Sequence, residues 1–155
     1  MQYRKIPLTQ GKFAKVDIED FELVSFFTWQ LKHKKNEKTG YARCALLNCS
    51  LHNFLMTPPR DKIVDHKNGD GLDNRRSNLR LATHSQNQWN MLSHTPGKLK
   101  GVYYSKNKKR IKRFYAQIQA EGKTFSRGMF HTAIEAHEAY IKLAKEKHGS
   151  FARWK

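Results

Sequence analysis

Apolar positions along the chain fall into short runs with two distinct periods. Segments 2–8 and 12–17 alternate apolar and polar residues on either side of Thr9-Gln10-Gly11, which predicts two short strands around a turn. Residues 17–26 predict a short helix. Segments 27–34 and 40–47 are rich in apolar and aromatic side chains and flank the polar run 35–40, so a hairpin with a polar tip is expected. Residues 50–55 predict one or two helical turns, stopped by Pro58-Pro59. Ile63 and Val64 predict a short strand ending at Asp65-His66. The stretch Asn68-Gly69-Asp70-Gly71 is a strong turn signal. Leu79 and Leu81 alternate about Arg80 as in a second strand, and Thr83 followed by Gln86 reads as a capping box opening a helix through Asn87 and Trp89.

The pattern changes after Thr95-Pro96-Gly97, where the Pro-Gly pair predicts a turn or linker and a domain boundary between 1–94 and 95–155. Residues 101–104 predict a strand. Phe114, Ala116 and Ile118 then share one face, opposite Arg113, Tyr115, Gln117 and Gln119. Glu121-Gly122 turns the chain into a further strand over 123–130. Thr132 with Glu135 forms a capping box for a helix whose apolar face is expected to contain Ile134, Ala136, Ala139, Tyr140, Leu143 and Ala144, ending at Gly149. The fold class is α+β: a β-rich N-terminal part leading into a strand–loop–strand–helix unit at about 62–92, then three antiparallel strands on one helix.

Charge adds a partner to this picture. Lys and Arg number 30 against 13 Asp and Glu, a formal charge of +17. The excess is uneven: 95–155 holds 15 basic and 4 acidic residues, and 1–94 holds 15 and 9. Such a balance calls for a polyanion, and nucleic acid is the usual one. A membrane surface fits poorly, because no basic helix carries a broad apolar face. No apolar run is long enough to span a bilayer, and the first residues lack the apolar core of a signal peptide, so a cytoplasmic protein is expected. The two cysteines, Cys44 and Cys49, are too few for a four-thiolate zinc site and are expected to be reduced, with Cys44 buried on a strand.

The segment 62–90 carries candidate chemistry. Asp65-His66 is followed by Asn78 twelve positions after the histidine and by Asn87 nine positions further. This stretch resembles the HNH nucleases, whose active site is a ββα-metal unit, and within them the homing-endonuclease branch with an Asp-His pair and two asparagines. The resemblance implies that Asp65 and Asn87 hold one divalent cation, that His66 is the general base, and that Asn78 orients and polarises its imidazole. Independent chemistry agrees. Hydrolysis of a phosphodiester needs a base of near-neutral pKa and positive charge at the phosphate, and a carboxylate with an amide oxygen suits magnesium or manganese. Asp70 and Asp73 read as turn residues, and His84 as exposed. Arg75, Arg76 and Arg80 flank the site and are candidate phosphate clamps. Leu51-His52-Asn53-Phe54-Leu55 resembles a Leu-His-Arg-Leu segment that precedes such motifs, with His52 expected to pack or contact phosphate rather than catalyse; Asn53 stands where relatives carry arginine.

The C-terminal part resembles the Apetala-type DNA-binding domain of plant ethylene-response factors, through Gly101-Val102-Tyr103, Phe114-Tyr115-Ala116-Gln117-Ile118, Arg127-Gly128-Met129-Phe130 and 133–140. That likeness implies an exposed sheet in the major groove, with Lys100, Tyr103, Ser105, Gln117, Gln119, Thr124 and Ser126 facing DNA. Lys106, Lys108, Lys109, Arg110 and Lys112 form a loop cluster expected on phosphates, while Gln117 and Gln119 are suited to base edges. The leading expectation is a site-directed endonuclease on double-stranded DNA, resembling homing endonucleases of bacteriophages and acting in a bacterial host's cytoplasm. It would nick one strand as a monomer and break both only as a pair of copies. Two rivals stay open: a transcription-factor-like DNA binder with a vestigial nuclease unit, and a nucleic-acid chaperone or RNA-binding protein.

Overall fold

The computed structural model describes residues 2–33, 39–91, 98–107, 109 and 111–154. The chain divides into two compact units, Met1–Asn87 and Gln88–Lys155, each with its own apolar core. Thr95, Pro96 and Gly97 lie outside the described residues. Within the described residues no helix is long and apolar enough to cross a membrane.

The first unit opens with β1 (Tyr3–Pro7) paired antiparallel to β2 (Phe13–Asp17), Tyr3 opposite Asp17 and Pro7 opposite Phe13. Their alternation sends Ile6, Ala14 and Val16 inward, each almost fully buried. Helix α1 (Ile18–Ser25) starts at Asp17, whose carboxylate does not cap it because Oδ2 accepts the backbone N–H of Arg76 at 2.7 Å. Trp29 is buried among Val24, Ala42, Leu51 and Leu55, and its indole N–H donates to the Val24 carbonyl at 2.8 Å, closing the end of α1. Phe27, Trp29 and Phe54 meet edge to face, with ring centroids 5.4–6.4 Å apart.

This aromatic packing shortens the strand expected over 27–34. Only β3 (Gln30–Lys32) pairs, because Phe27 and Trp29 are drawn into the core. The strand expected over 40–47 also ends early. β4 (Tyr41–Cys44) turns at Asn48, whose φ is 49°, into the brief β5 (Cys49–Ser50), and Cys44 lies opposite Cys49. Both cysteines are free, and Cys44 is buried as expected. Of the polar tip expected at 35–40, residues 35–38 lie outside the described residues, and Thr39 and Gly40 lead into β4. Helix α2 (Leu51–Met56) follows and stops at Thr57 in the left-handed region, just ahead of Pro58.

Next come β6 (Ile63–His66) and β7 (Leu79–Ala82), antiparallel with Asp65 opposite Arg80 and His66 opposite Leu79. Helix α3 (His84–Asn90) leaves β7 through the anticipated capping box: Thr83 N–H donates to Gln86 Oε1 at 2.9 Å and Gln86 N–H to Thr83 Oγ1 at 3.2 Å. The division between the units falls inside this helix, after Asn87.

In the second unit, β8 (Val102–Tyr104), β9 (Phe114–Ala120) and β10 (Lys123–Phe130) form one antiparallel sheet in the order β10-β9-β8. Helix α4 (Ala133–His148) packs on one face, burying Ala136, Tyr140, Leu143 and Ala144 against Ala116 and Ile118. The Thr132–Glu135 capping box is formed as anticipated. Ile134, expected in the apolar face, is 67% exposed. It lies two residues before Ala136, hence roughly 200° around the helix from the buried stripe. Gly101 has φ +73°, and a Cβ there would stand 1.8 Å from the Tyr140 ring. Gly101→Ala therefore meets both backbone strain and a core clash. It is expected to destabilise the second unit by about 2–4 kcal/mol, read as a lower urea midpoint; an unchanged midpoint would mean that Tyr140 does not press on this turn.

Candidate active site and the exposed sheet

The loop 67–78 between β6 and β7 has no regular structure, yet its polar groups are nearly all paired. Asn68 and Asn78 close its base: Asn68 N–H donates to Asn78 Oδ1 at 3.1 Å, and Asn78 Nδ2 donates to Asn68 Oδ1 at 3.0 Å and to the Asp73 carbonyl at 2.7 Å. Asp70 N–H reaches Asn68 Oδ1 and Leu72 N–H reaches Asp70 Oδ1, two side-chain-mimicked turns in succession. Asp73, 1% exposed, accepts from Asn68 Nδ2 and takes a two-point bond from Arg75, both contacts at 2.7 Å. Arg75 holds its carboxyl below the usual range. The loop is anchored to β2 by Lys15 N–H on the Leu72 carbonyl and Asn74 N–H on the Lys15 carbonyl. Gly71 fits beneath Tyr41, where a Cβ would lie 2.6 Å from the ring.

This scaffold delivers Asn74, fully buried, to His66. Asn74 Oδ1 is 3.3 Å from His66 Nε2, and its Nδ2 donates to the Gly71 carbonyl at 3.4 Å. An amide oxygen at Nε2 requires the proton there, so Nδ1 is the basic nitrogen of His66. Burial, the largest influence, pushes His66 below its ordinary 6.5, against the Asn74 bond and the charges of Asp65, Asp70 and Asp73. The imidazole is thus neutral near pH 7. Asn78, expected to polarise His66, instead has both amide hydrogens on Asn68 and Asp73; it holds the loop, and Asn74 meets the ring.

Asp65, 4% exposed, accepts from Arg80 Nε at 2.7 Å. Asn87 lies half-buried in α3, its backbone N–H on the Thr83 carbonyl. The other flanking arginines are also paired with carboxylates. Arg75 grips Asp73, and Arg76 grips Asp20 through Nε and Nη2, both at 2.8 Å, so these forks brace the loop and α1. His84 is exposed, as expected. No cluster of three or more His, Cys, Asp or Glu side chains placed to hold a metal occurs among the described residues.

His52, expected to pack or to contact phosphate, packs. Its ring stands edge-on to His66 with centroids 5.0 Å apart, and Tyr41 lies 5.5 Å from His52 and 5.9 Å from His66. Burial, reinforced by His66, drives the His52 pKa down to about 3. No spacing rule ties a histidine on α2 to the end of β6, and none tells Asn74 from Asn68 or Asn78 as the partner of His66.

In the second unit the alternation of β9 leaves one sheet face open. Tyr103 pairs with Tyr115, Gln117 with Ser126 and Gln119 with Thr124, all on the side away from α4. Ser105 follows β8, its backbone N–H on the Arg113 carbonyl. Tyr115, placed on this face by the alternation but not among the residues expected on DNA, stacks on Tyr103 at 5.7 Å. Lys106, Lys109 and Lys112 are exposed, while Lys108 and Arg110 lie outside the described residues. Lys100 does not face this surface: its ammonium donates to the carbonyls of Trp89, Met91 and Arg153 at 2.5–2.9 Å. Those three bonds use all its hydrogens, and burial lowers its pKa to about 8.

Comparison with known proteins assigns the segment that carries these residues to a family. Residues 57–89, which include β6, the clamped loop and most of α3, match the HNH endonuclease family. The chain is 33% identical to an uncharacterized HNH endonuclease of Acanthamoeba polyphaga mimivirus, over 92% of this chain and 74% of that protein. The chain belongs to the HNH endonuclease family. It is also 34% identical to Protein 3.8 of Escherichia phage T7, over 63% of this chain and 78% of that one. No solved structure matches.

For this HNH endonuclease the buried histidines predict a pH dependence. His52 binds a proton at about 3 when folded and near 6.5 when unfolded, so the unfolded chain takes up a proton that the native one refuses. Its stabilising contribution is complete above pH 6.5 and is lost as pH falls toward 3, at up to about 1.4 kcal/mol per pH unit. Denaturation midpoints should drop from pH 7 to pH 4, and His52→Phe should flatten that drop. An identical pH dependence in the variant would refute the burial of a neutral His52.

Proposed function

We propose that the protein is a metal-dependent, site-directed DNA endonuclease of homing type, nicking one strand as a monomer. The observation that carries this reading is a buried, neutral His66 whose Nε2 is held by Asn74 beside the carboxylate-bearing end of β6. Asp65 and Asn87 would hold one magnesium or manganese ion; a carboxylate and an amide oxygen are hard donors that fit such a cation and leave positions for water and phosphate. When bound, the ion supplies positive charge against the phosphate oxygens. His66 takes the proton of the attacking water on Nδ1, Asn74 accepts a hydrogen bond from Nε2–H as imidazolium forms, and Asn78 keeps the loop that presents Asn74 in place. Arg80 already offsets the charge of Asp65, so the phosphate's own negative charge assists cation binding, and metal and DNA bind cooperatively.

The second unit is the DNA reader, as the Apetala-type resemblance of 95–155 implies. Its open face offers hydroxyls and amides without charge, suited to base edges. Lysines beside it, with Lys108 and Arg110 of the same run, provide phosphate contacts. Lys100 is left out of that set. The bacteriophage relative agrees with a phage-like origin and with action in a host's cytoplasm.

His66→Ala should reduce nicking of a supercoiled plasmid carrying DNA from the encoding genome by about 10²–10⁴-fold in magnesium or manganese, with DNA binding in EDTA retained. Nicking at the wild-type rate would end the mechanism. Because burial lowers the His66 pKa, the acidic limb of the wild-type rate should lie below pH 6.5. Replacing Lys106, Lys109 and Lys112 with alanine should weaken binding to all duplexes alike, each reducing the slope of log K against log salt by about 0.9. A loss confined to one sequence would instead make these lysines readers of bases.

A further inference from the structure

His52 is a titratable group beside His66 that the mechanism above leaves without a task. Its position is unusual: a half-buried imidazole on α2, edge-on to the general base, with Tyr41 against both rings. One nitrogen, Nδ1, is buried and has no hydrogen-bond partner. An unpaired buried polar atom is costly and calls for an explanation.

The chemistry of the ring narrows that explanation. A neutral imidazole carries one N–H and one lone pair, and the proton belongs on the nitrogen that can reach an acceptor. With Nδ1 shut in, the tautomer protonated on Nε2 buries only a lone pair and leaves the N–H at the far end of the ring as a donor. The low pKa keeps the ring neutral, so it is neither a cationic clamp nor a rival base. The two rings, 5.0 Å apart, therefore have complementary roles: His66 offers a lone pair from Nδ1, and His52 offers a proton donor from Nε2.

We infer that His52 is a further catalytic residue, its Nε2–H hydrogen-bonding a non-bridging oxygen of the phosphodiester as water attacks phosphorus beside His66. The proton stays on His52 throughout. The bond strengthens as charge gathers on that oxygen, which is how a fixed donor lowers a barrier. Tyr41, packed against both rings, sets the angle between them. The assignment rests on the nuclease reading above.

The test compares His52→Phe, which keeps the ring and removes the donor, with His52→Gln, whose amide N–H can stand in for Nε2–H. Both are made in the full chain and assayed on the same plasmid under single-turnover conditions with magnesium or manganese. His52→Phe should lose about 10²–10³ in rate with DNA binding in EDTA unchanged, and His52→Gln should recover at least about tenfold of it. Long-range nitrogen–proton NMR of the wild type should report a neutral His52 protonated on Nε2 at pH 6. Equal rates for wild type and His52→Phe, equal losses in both variants, or a proton on Nδ1 would each overturn the assignment while sparing the nuclease. A wild type that nicks no DNA overturns the nuclease reading and this assignment together. Should His52→Phe fail to fold, the His52→Gln rate and the NMR tautomer decide.

Discussion

The reciprocal pairing of Asn68 with Asn78 across the base of the loop 67–78 is the constraint on which the site depends. An irregular loop of this length has no backbone ladder of its own, and ordering each residue costs about 1–2 kcal/mol. Here amide side chains replace the ladder: Asn78 bonds Asn68 and the Asp73 carbonyl, and Asn68 in turn bonds Asp70 and Asp73. With the base closed, Asn74 has one place to go, beneath His66. A three-way division of labour follows. One asparagine closes the loop, a second is clasped by it, and a third touches His66.

Charge pairing fixes the surroundings. Asp20, Asp65 and Asp73 are buried, and each meets an arginine from the loop or from β7. Removing one member of such a pair typically costs about 3–5 kcal/mol, because a charge is left behind in a poorly solvating place. In a chain of formal charge +17, these carboxylates also pair the arginines that flank His66. The lysines around β8 and β9 lie exposed in the other unit, where the proposed function has them meet the polyanion.

Much of this was legible in the sequence, and the residues show why. Capping boxes at Thr83 and Thr132, the strands β6 and β7, the alternation in β9, and the stops at Pro58 and Gly149 are local signals, and all appear where the pattern put them, although Leu81, expected to share the face of Leu79, is 41% exposed. Local signals failed where distant packing prevailed. Phe27 and Trp29 left their expected strand for the core, and Ile134 fell outside the buried stripe by a fraction of a helical turn. Lys100 looked like any surface lysine until three carbonyls converged on it. The spacing of Asp65, His66, Asn78 and Asn87 pointed to the segment that matches the HNH endonuclease family but could not apportion its hydrogen bonds, since three asparagines in one loop are equivalent until the chain closes.

His52 and His66 show how environment separates two identical side chains. Both are buried, and burial alone makes both neutral and weakly basic. What differs is the partner. His66 has an amide oxygen on Nε2, which would support the positive charge of a protonated ring, and three carboxylates whose fields act in the same sense. His52 has no hydrogen-bond partner on its buried Nδ1; the rings beside it are those of Tyr41 and His66. An imidazole kept neutral still has a donor to offer, and the loop network that opposes burial at His66 has no counterpart at His52, which is the asymmetry on which the proposed roles of the two rings rest.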